Sequence, residues 1–455
     1  MEMNKRLILL MANDIVLAFL SIISAYMIRF QAFPAVHDMV EMGMIKISLY
    51  VLILMLVSFF AEIYKYSRDS SNMETAARII LSLGFSYLLL SALYYTAPFY
   101  MFGRGVLTIA LLIFGVFQFL FHASYRFCGR FKRFAKRILI VGAGPLAGRM
   151  GDIIPCHEGN YVLSGYVNCS NEPIHVPLGS ILDSDCELYE TVRRENADKI
   201  VVSLSERRGI LPLQEIMACK LSGIEVVDAP SFYEKMTGKL LLENITPSWF
   251  IFSDGFRITA PIRLIKRVTD VVLSAAGIIL VLPFFPLLAL AIRLDSKGPI
   301  FFRQVRVGER EKNFLLFKFR TMRVDAESGT GAVWAQEKDP RVTRVGNFFR
   351  KSRIDEIPQL FNVLMGDMSL IGPRPERPEF IEQLKKVIPY YSERHFVKPG
   401  VTGWAQVRYP YGASVEDALE KLRYDLYYIK NLTLTFDIMI ILETIKVVLF
   451  RRGGR

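Results

Sequence analysis

The chain has 455 residues, is 52% hydrophobic with a mean hydropathy of +0.30, and carries a formal net charge of +12. So apolar a composition argues against an ordinary soluble enzyme, and unbroken runs of Phe, Leu and Ile argue against a simple nucleic-acid binder. Apolar runs joined by basic loops point instead to a membrane, with the basic side facing anionic lipids or phosphates.

Four apolar segments fill the first quarter, at Leu7–Ile28, Met44–Ala61, Ala77–Ala97 and Val106–Tyr125. Each is about long enough to span a bilayer as a helix, the second only just. Lys5-Arg6, then Lys65, Arg68 and Arg78, then Arg126, Arg130, Lys132, Arg133, Lys136 and Arg137 flank one side; Arg29, Lys46 and Arg104, offset by Asp38 and Glu41, are all the other side carries. The basic loops face the cytoplasm, so both the N-terminus and everything after the fourth span begin inside. No small-residue cleavage site follows Lys5-Arg6, and a cleaved signal is not expected. Asp14 interrupts the first span. An intramembrane carboxylate raises a functional question, but so near the cytoplasmic helix end a structural role, by snorkelling or by a bond to a neighbouring helix, is the favoured reading. The five cysteines (Cys128, Cys156, Cys169, Cys186, Cys219) show no CxxC spacing and are an odd number, which suggests neither a disulfide framework nor a zinc site.

Next comes alternating strand and helix. Arg137–Val141 reads as a buried strand running into Gly142-Ala143-Gly144-Pro145-Leu146-Ala147-Gly148 and a helix. Further strands are predicted at Ser164–Val167, Lys199–Ser203 and Glu225–Val227, with a helix over Leu213–Leu221. This alternation implies a parallel, doubly wound, Rossmann-like sheet. Gly142, Gly144 and Ala147 match a dinucleotide-type loop whose backbone approaches a pyrophosphate at a helix N-terminus. The acidic residue expected after the second strand is missing, with Asn168 near its place. Nucleotide binding and a purely structural or regulatory domain both stay open.

A third block opens near Pro261. Lys266-Arg267 precede an apolar stretch from Val268 to Ile292, interrupted by Pro283 and Pro286 and followed by Arg293 and Lys297. Central prolines and basic residues on both flanks favour a re-entrant helix hairpin over 264–293, entering and leaving from the cytoplasm; a fifth crossing is the competing reading. The apolar tail Leu432–Phe450, closed by Arg451-Arg452, reads as a helix on the membrane surface.

Between them, phosphate-compatible groups crowd together: Lys318 and Arg320 in KFRTM, then Arg341, Arg344, Arg350, Lys351 and Arg353, then Arg374 in Gly372-Pro373-Arg374-Pro375, then Lys398. Arginine forks match phosphate oxygens, though part of this array could be a basic face on anionic lipid. Within it stands the acidic pair Asp355-Glu356. Ile354, Ile357, Phe361 and Leu364 recur at helical spacing and Pro358 fits a first turn, which puts Asp355 near a helix N-cap, where it should stay ionised. Plain capping is the rival explanation of that aspartate.

The string DPRVTRVGNFFRKSRIDEIPQLFNVLMGDMSLIGPRPE (339–376), with KFRTM, VKPGVTGWAQV and Tyr424-Asp425-Leu426-Tyr427-Tyr428, closely resembles the bacterial sugar transferase family, the monotopic phosphoglycosyl transferases. The likeness runs from about Pro261 to the end, and the preceding domains resemble the large exopolysaccharide-initiating members. It implies a membrane protein of three parts: four transmembrane helices over 1–130, a Rossmann-like domain over 131–255, and a mixed catalytic domain with a re-entrant helix hairpin over 256–455. It implies transfer of a sugar-1-phosphate from a UDP-sugar to undecaprenyl (polyprenyl) phosphate on the cytoplasmic face of the bacterial inner membrane. Asp355 would be the nucleophile that forms an aspartyl-phosphosugar and expels UMP. Glu356 would be a Mg²⁺ ligand, and Lys318, Arg320, Arg350 and Arg374 phosphate contacts. The large members imply a homodimer in the bilayer, and no nucleic-acid partner is implied.

Two rivals are weighed. A membrane-anchored nucleotide-sugar epimerase or dehydratase needs a second glycine-rich NAD loop and a Tyr-x-x-x-Lys pair, and no Tyr-x-x-x-Lys occurs in the chain. A non-catalytic scaffold of a polysaccharide export complex would be expected to have lost the Asp-Glu pair, which is intact here.

Overall fold

The computed structural model describes residues 2–31, 44–64, 72–130, 135–154, 161–169, 172–182, 187–204, 212–245, 247–324, 326, 339–409, 412 and 414–449. Asp38, Glu41, Lys65, Arg68, Lys132, Arg133, Cys156, Cys186, Arg451 and Arg452, all cited above, lie outside these, as do the side chains of Lys5, Arg6, Arg126, Cys128 and Arg130. The described chain forms two compact units, Met1–Met236 and Thr237–Arg455.

The first unit opens with helices Glu2–Phe30, Met44–Phe60, Asn72–Thr96 and Arg104–Arg130. Leu7–Phe30, Asn72–Thr96 and Arg104–Tyr125 are long and apolar enough to cross a membrane. Met44–Phe60 has 17 residues, about 25 Å of helix, at the lower limit for a hydrocarbon core of about 30 Å. Ile22, Tyr50, Leu54, Leu90 and Phe114 pack inward, while Leu20, Leu52, Leu88 and Leu112 face outward. Apolar residues on both faces are what a lipid surround requires. Asp14 is fully buried; it accepts a hydrogen bond from Gln118 Nε2 at 2.7 Å and lies 3.2 Å from His122 Nε2, and Gln118 also donates to Ser58 Oγ at 3.2 Å. Asp14 thus ties its helix to its neighbours.

A five-stranded parallel sheet completes this unit: β1 (Lys136–Val141), β2 (Tyr161–Val167), β3 (Ile181–Leu182), β4 (Lys199–Val202) and β5 (Glu225–Asp228), in the order β3-β2-β1-β4-β5. The run Ile138–Val141 is wholly buried, as a central strand covered on both faces must be. The helix Leu213–Leu221 matches its predicted bounds. β3, two residues long, has no hydrophobic run to announce it. Cys169 and Cys219 are free thiols.

In the second unit, helix Ala260–Val281 meets a 3₁₀ turn at Leu282–Phe284 and continues as helix Phe285–Asp295. Pro283 and Pro286 account for the break, since neither can donate to the helical ladder. By length and composition this segment, Ala260–Asp295, is the fourth candidate membrane helix. The antiparallel hairpin β6 (Phe301–Val307) and β7 (Asn313–Phe319) follows, then helices Arg344–Ser352 and Gln359–Met365, and the parallel pair β8 (Ser369–Ile371) and β9 (Gly400–Thr402). The main core gathers Ile371, Ile381, Leu384, Tyr391, Trp404, Leu422, Leu426 and Ile440.

Two segments join this core in ways their sequences do not announce. Residues 238–256 strap its outside: Leu240, Leu242 and Ile245 are buried in it, Trp404 Nε1 donates to Gly238 O at 2.8 Å, and Leu240 N donates to Arg423 O at 3.1 Å. The tail forms helix Leu434–Leu449, and one of its faces is core rather than surface: Ile440 is fully buried, and Asp437 bonds Lys266 Nζ at 2.7 Å and Tyr428 OH at 2.7 Å. Leu434, Ile438 and Ile445 stay exposed on the opposite side.

Candidate active site

Lys318 sits near the end of β7, opposite Phe302 of β6. A single amide locks this strand to the next helix: buried Asn362 donates from Nδ2 to Leu315 O at 2.7 Å and accepts at Oδ1 from Phe317 N at 3.0 Å. The dyad stands just before that helix. Arg353 takes a left-handed conformation (φ 58°, ψ 15°), ends the helix Arg344–Ser352 and turns the chain into a 3₁₀ turn over Ile354–Glu356. A left-handed arginine costs roughly 1–2 kcal/mol, a strain of the kind that collects at functional sites. Here it aims two adjacent carboxylates inward.

The expected N-cap is not what forms. Pro358 occupies the N-cap of the helix Gln359–Met365, and Asp355 makes no capping bond. The left-handed break lies N-terminal to the dyad, so the dyad falls inside a tight turn. Periodicity could not distinguish that turn from a first helical turn.

Asp355 and Glu356 are both 7% exposed. Buried carboxylates are tolerated only when paired, and the two are paired unequally. Glu356 Oε1 lies 2.8 Å from Arg374 Nη2, 3.1 Å from Lys318 Nζ and 3.5 Å from Arg353 Nη1. Asp355 Oδ2 is 4.0 Å from Lys318 Nζ, and its Oδ1 is buried with no hydrogen-bond partner among the described residues. Burial pushes Glu356 up, but the charges of Arg374, Lys318 and Arg353 outweigh it and hold it well below the usual carboxylate range. Burial also raises Asp355, and there it wins: Lys318 opposes it while the neighbouring Glu356 charge adds to it. A helix terminus would favour the Asp355 anion; the turn supplies none, and burial raises the carboxyl instead. Lys318 is itself lowered, first by burial and against the pull of Glu356.

Arg374 is aimed by its turn. Gly372 N donates to Thr402 O and Gly400 N to Pro373 O, both at 2.9 Å, and Arg306 Nη1 donates to Pro375 O at 3.1 Å. A side chain on Gly372 would run into the Lys398 carbonyl, and one on Gly400 into the Gly372 backbone. The glycines of GPRP and VKPGVTG thus let two backbones touch. Arg350 donates from Nε to Thr321 Oγ1 at 3.0 Å, and its charge acts on Asp355.

Lys318, Arg350 and Arg374 therefore gather around the dyad. Arg320 does not: its guanidinium donates to Ser296 O at 2.6 Å, Ser296 Oγ at 3.0 Å and Lys297 O at 3.1 Å, fastening the end of the helix Phe285–Asp295. Arg341 is likewise occupied by Asp339 at 2.7 Å. The sequence counts Arg353 only among the phosphate-compatible groups, without its contact to Glu356, and gives no role to Arg394, which lies outside every motif.

In the first unit, Gly142 (φ +121°) turns the chain after β1 and Gly144 N-caps the helix Pro145–Ile153, where Ala147 is fully buried. The chain's own next segment lies over this loop. His175 N donates to Ala143 O at 2.9 Å, and a Cβ on Gly144 would collide with the Glu172 carboxylate. An anion already stands beside the helix N-terminus, where a pyrophosphate would bind.

The sequence that builds this site has relatives among known proteins. The profile described as "Bacterial sugar transferase" matches residues 262–451. The chain is 42% identical over 238 residues to UDP-N-acetylgalactosamine-undecaprenyl-phosphate N-acetylgalactosaminephosphotransferase of Aeromonas hydrophila, covering 52% of this chain and 55% of that one. It is 44% identical over 187 residues, 40% of each chain, to UDP-glucose:undecaprenyl-phosphate glucose-1-phosphate transferase of Escherichia coli (strain K12). These two matches span about half the length of the relatives or less. Exopolysaccharide production protein PSS of Rhizobium leguminosarum bv. phaseoli is 37% identical over 196 residues, 42% of this chain and 98% of PSS. With nearly the whole of one relative matched, and the matched part carrying the dyad and its ring of cations, the chain belongs to the bacterial sugar transferase family.

Proposed function

We propose that this protein transfers a sugar-1-phosphate from a UDP-sugar to undecaprenyl phosphate on the cytoplasmic face of the inner membrane, beginning an exopolysaccharide repeat unit. The observation that carries the reading is the unpartnered, buried Oδ1 of Asp355 among Lys318, Arg350 and Arg374. A carboxylate oxygen with no internal partner is poised to bond to something that arrives.

In the first step that oxygen attacks the phosphorus bearing the sugar. The bond from phosphorus to the UMP oxygen breaks, and UMP leaves with the electron pair. In the second step an oxygen of undecaprenyl phosphate attacks the same phosphorus, and the bond to Asp355 breaks to restore the carboxylate. Phosphoryl transfer of this kind depends on positioning and charge neutralisation. Arg374 and Lys318, now on Glu356, are placed to meet the donor's phosphates, and Arg350 adds charge nearby. Burial of the dyad keeps water from the covalent intermediate.

The dyad also fits a magnesium ion, which is commonly held by one or two carboxylates together with substrate phosphate. Glu356 would hold the ion, leaving the orphaned Asp355 Oδ1 free as the nucleophile. When bound, Mg²⁺ would neutralise charge on the diphosphate.

The break at Leu282–Phe284 is read as a re-entrant hairpin. Arg267, near one end, donates to the carbonyls of Val363 and Leu364 at 2.6 and 2.8 Å; Asp295, at the other, accepts from Val345 N at 2.9 Å. Both ends thus bind neighbouring parts of the same catalytic fold, which a straight crossing would separate. The sheet of the first unit has the strand order of Rossmann-like domains; the Glu172 carboxylate in its glycine loop favours a structural or regulatory part over nucleotide binding.

The test is UMP release by purified protein given undecaprenyl phosphate and a panel of UDP-sugars. Intact-mass measurement without the acceptor should reveal a phosphosugar adduct. Absence of both UMP and adduct with every donor would refute the reading.

A further inference from the structure

Behind the Gly372–Pro375 turn lies a buried polar cluster that the reaction above does not use. Arg394 is 5% exposed and Asp425 2%. One guanidinium nitrogen of Arg394 donates to Asp425 Oδ2 at 2.8 Å and to the Arg374 carbonyl at 3.0 Å; the other donates to Tyr391 OH at 2.6 Å. Three elements meet there: the 3₁₀ turn Tyr391–Phe396, the helix Val415–Lys430 and the Gly-Pro-Arg-Pro turn. The backbone of Arg374 is gripped from behind while its guanidinium reaches forward to Glu356 at 2.8 Å.

A buried ion pair gains little net stability over an apolar pair of the same shape, so stability alone is a weak account of this one. What the arginine fork supplies is direction. It holds a carboxylate, a phenol and a carbonyl at once, which a lysine's single ammonium cannot do in the same geometry. We propose that Arg394 and Asp425 are positioning residues that fix the Arg374 backbone so that its guanidinium is presented to the donor diphosphate. This rests on the donor reading above.

Asp425 is pushed up to about 6, by burial first and against the Arg394 charge. Glu376 raises it further, and Lys421 opposes. On the other side of Arg394 stand Tyr391 and His395; burial, and then the Arg394 charge, push His395 down to about 4 and keep it neutral above that. As pH falls through about 6, Asp425 therefore takes up a proton and Arg394 loses its charged partner.

Donor affinity should register this event. The full-length Asp355→Asn protein in detergent serves as parent, since it has no nucleophile to turn the donor over and no Asp355 titration. UDP-glucose and UDP-N-acetylgalactosamine, whose phosphodiesters do not titrate near neutrality, are the probes, read by calorimetry between about pH 5 and 8. Affinity of the parent for the accepted donor should weaken roughly tenfold as pH falls, the scale of one lost charge-assisted hydrogen bond. Adding Asp425→Asn should give weak binding with no pH dependence, and adding Arg394→Lys weak binding throughout. Melting curves confirm that each variant is folded. A parent whose affinity is flat across this range overturns the proposal even if a double variant fails to fold, as does a folded Asp425→Asn variant that keeps the parent's affinity and pH profile. A parent that binds neither nucleotide sugar removes the donor reading itself, and this inference with it.

Discussion

Lys318 Nζ lies 3.1 Å from Glu356 Oε1 but 4.0 Å from the nearest oxygen of its neighbour Asp355. One ammonium thus divides two adjacent carboxylates into a clamped one and an open one. The clamped one is held far on the ionised side, and the open one is raised by burial and by its neighbour's charge.

That division predicts a pH profile. In the proposed mechanism adduct formation needs ionised Asp355, so its rate should fall on acidification at a pH above the ordinary aspartate value of about 3.9. Glu356→Gln removes a negative charge beside Asp355 and should shift this limb to lower pH. Single-turnover adduct formation followed by mass spectrometry measures both. An unmoved limb in a folded Glu356→Gln protein would mean that the two carboxylates do not interact.

Stability should follow the clamped residue. Glu356 is depressed on folding, so its contribution is present above its unfolded value and is lost as pH falls towards its folded one. Glu356→Gln leaves Lys318, Arg374 and Arg353 without their shared anion. The expected cost is roughly 2 kcal/mol, less than for a fully buried pair, because the Arg374 side chain is 28% exposed. Denaturant melts of the two proteins give the difference.

Asp355→Asn should behave in the opposite way. A helix cap would cost about 1 kcal/mol on substitution, but Asp355 caps nothing and leaves one buried oxygen unpaired. The variant should melt at or above the wild-type temperature while forming no adduct. Turnover near the wild-type rate would exclude Asp355 as nucleophile.

The strap over 238–256 sets where a working fragment must begin. A protein starting at Thr237 keeps Leu240, Leu242 and Ile245 in the core, whereas one starting at Pro261 exposes the surface they cover. The longer fragment should survive detergent and heat better. Within the full chain, Leu240→Ala should cost about 2–5 kcal/mol, as large-to-small changes in packed cores do. Equal melting of the two fragments would show the strap to be dispensable.

For the glycine loop, Gly144→Ala should destabilise the first unit by collision with Glu172, and adding Glu172→Ala should restore much of the loss. A double-mutant cycle measures the coupling. Additive effects would place Glu172 elsewhere in solution.

Much of this architecture was written locally. Four of the five strands and the helix Leu213–Leu221 follow from hydrophobic period and turn chemistry, and the motif residues Lys318, Arg350 and Arg374 converge on the dyad. What could not be read depends on partners distant in sequence. Arg320 looks like its neighbour Lys318 in KFRTM, yet it stands one residue past the end of β7 and bonds the carbonyls of Ser296 and Lys297. The left-handed Arg353 carries no glycine to betray it. Arg394 gains meaning only from Asp425, 31 residues on, and from Arg374, 20 residues back.

The bond from Lys266 to Asp437 joins residues 171 positions apart. At a synthesis rate of about 5–20 residues per second, roughly 10–30 s separate the two residues on the ribosome. Throughout that interval the apolar break segment has been made while the helix that secures it has not. The bilayer is the one apolar phase on offer to Ala260–Asp295 in the meantime. On the re-entrant reading proposed above, insertion comes first in time, and the catalytic fold closes onto a segment already lodged in lipid.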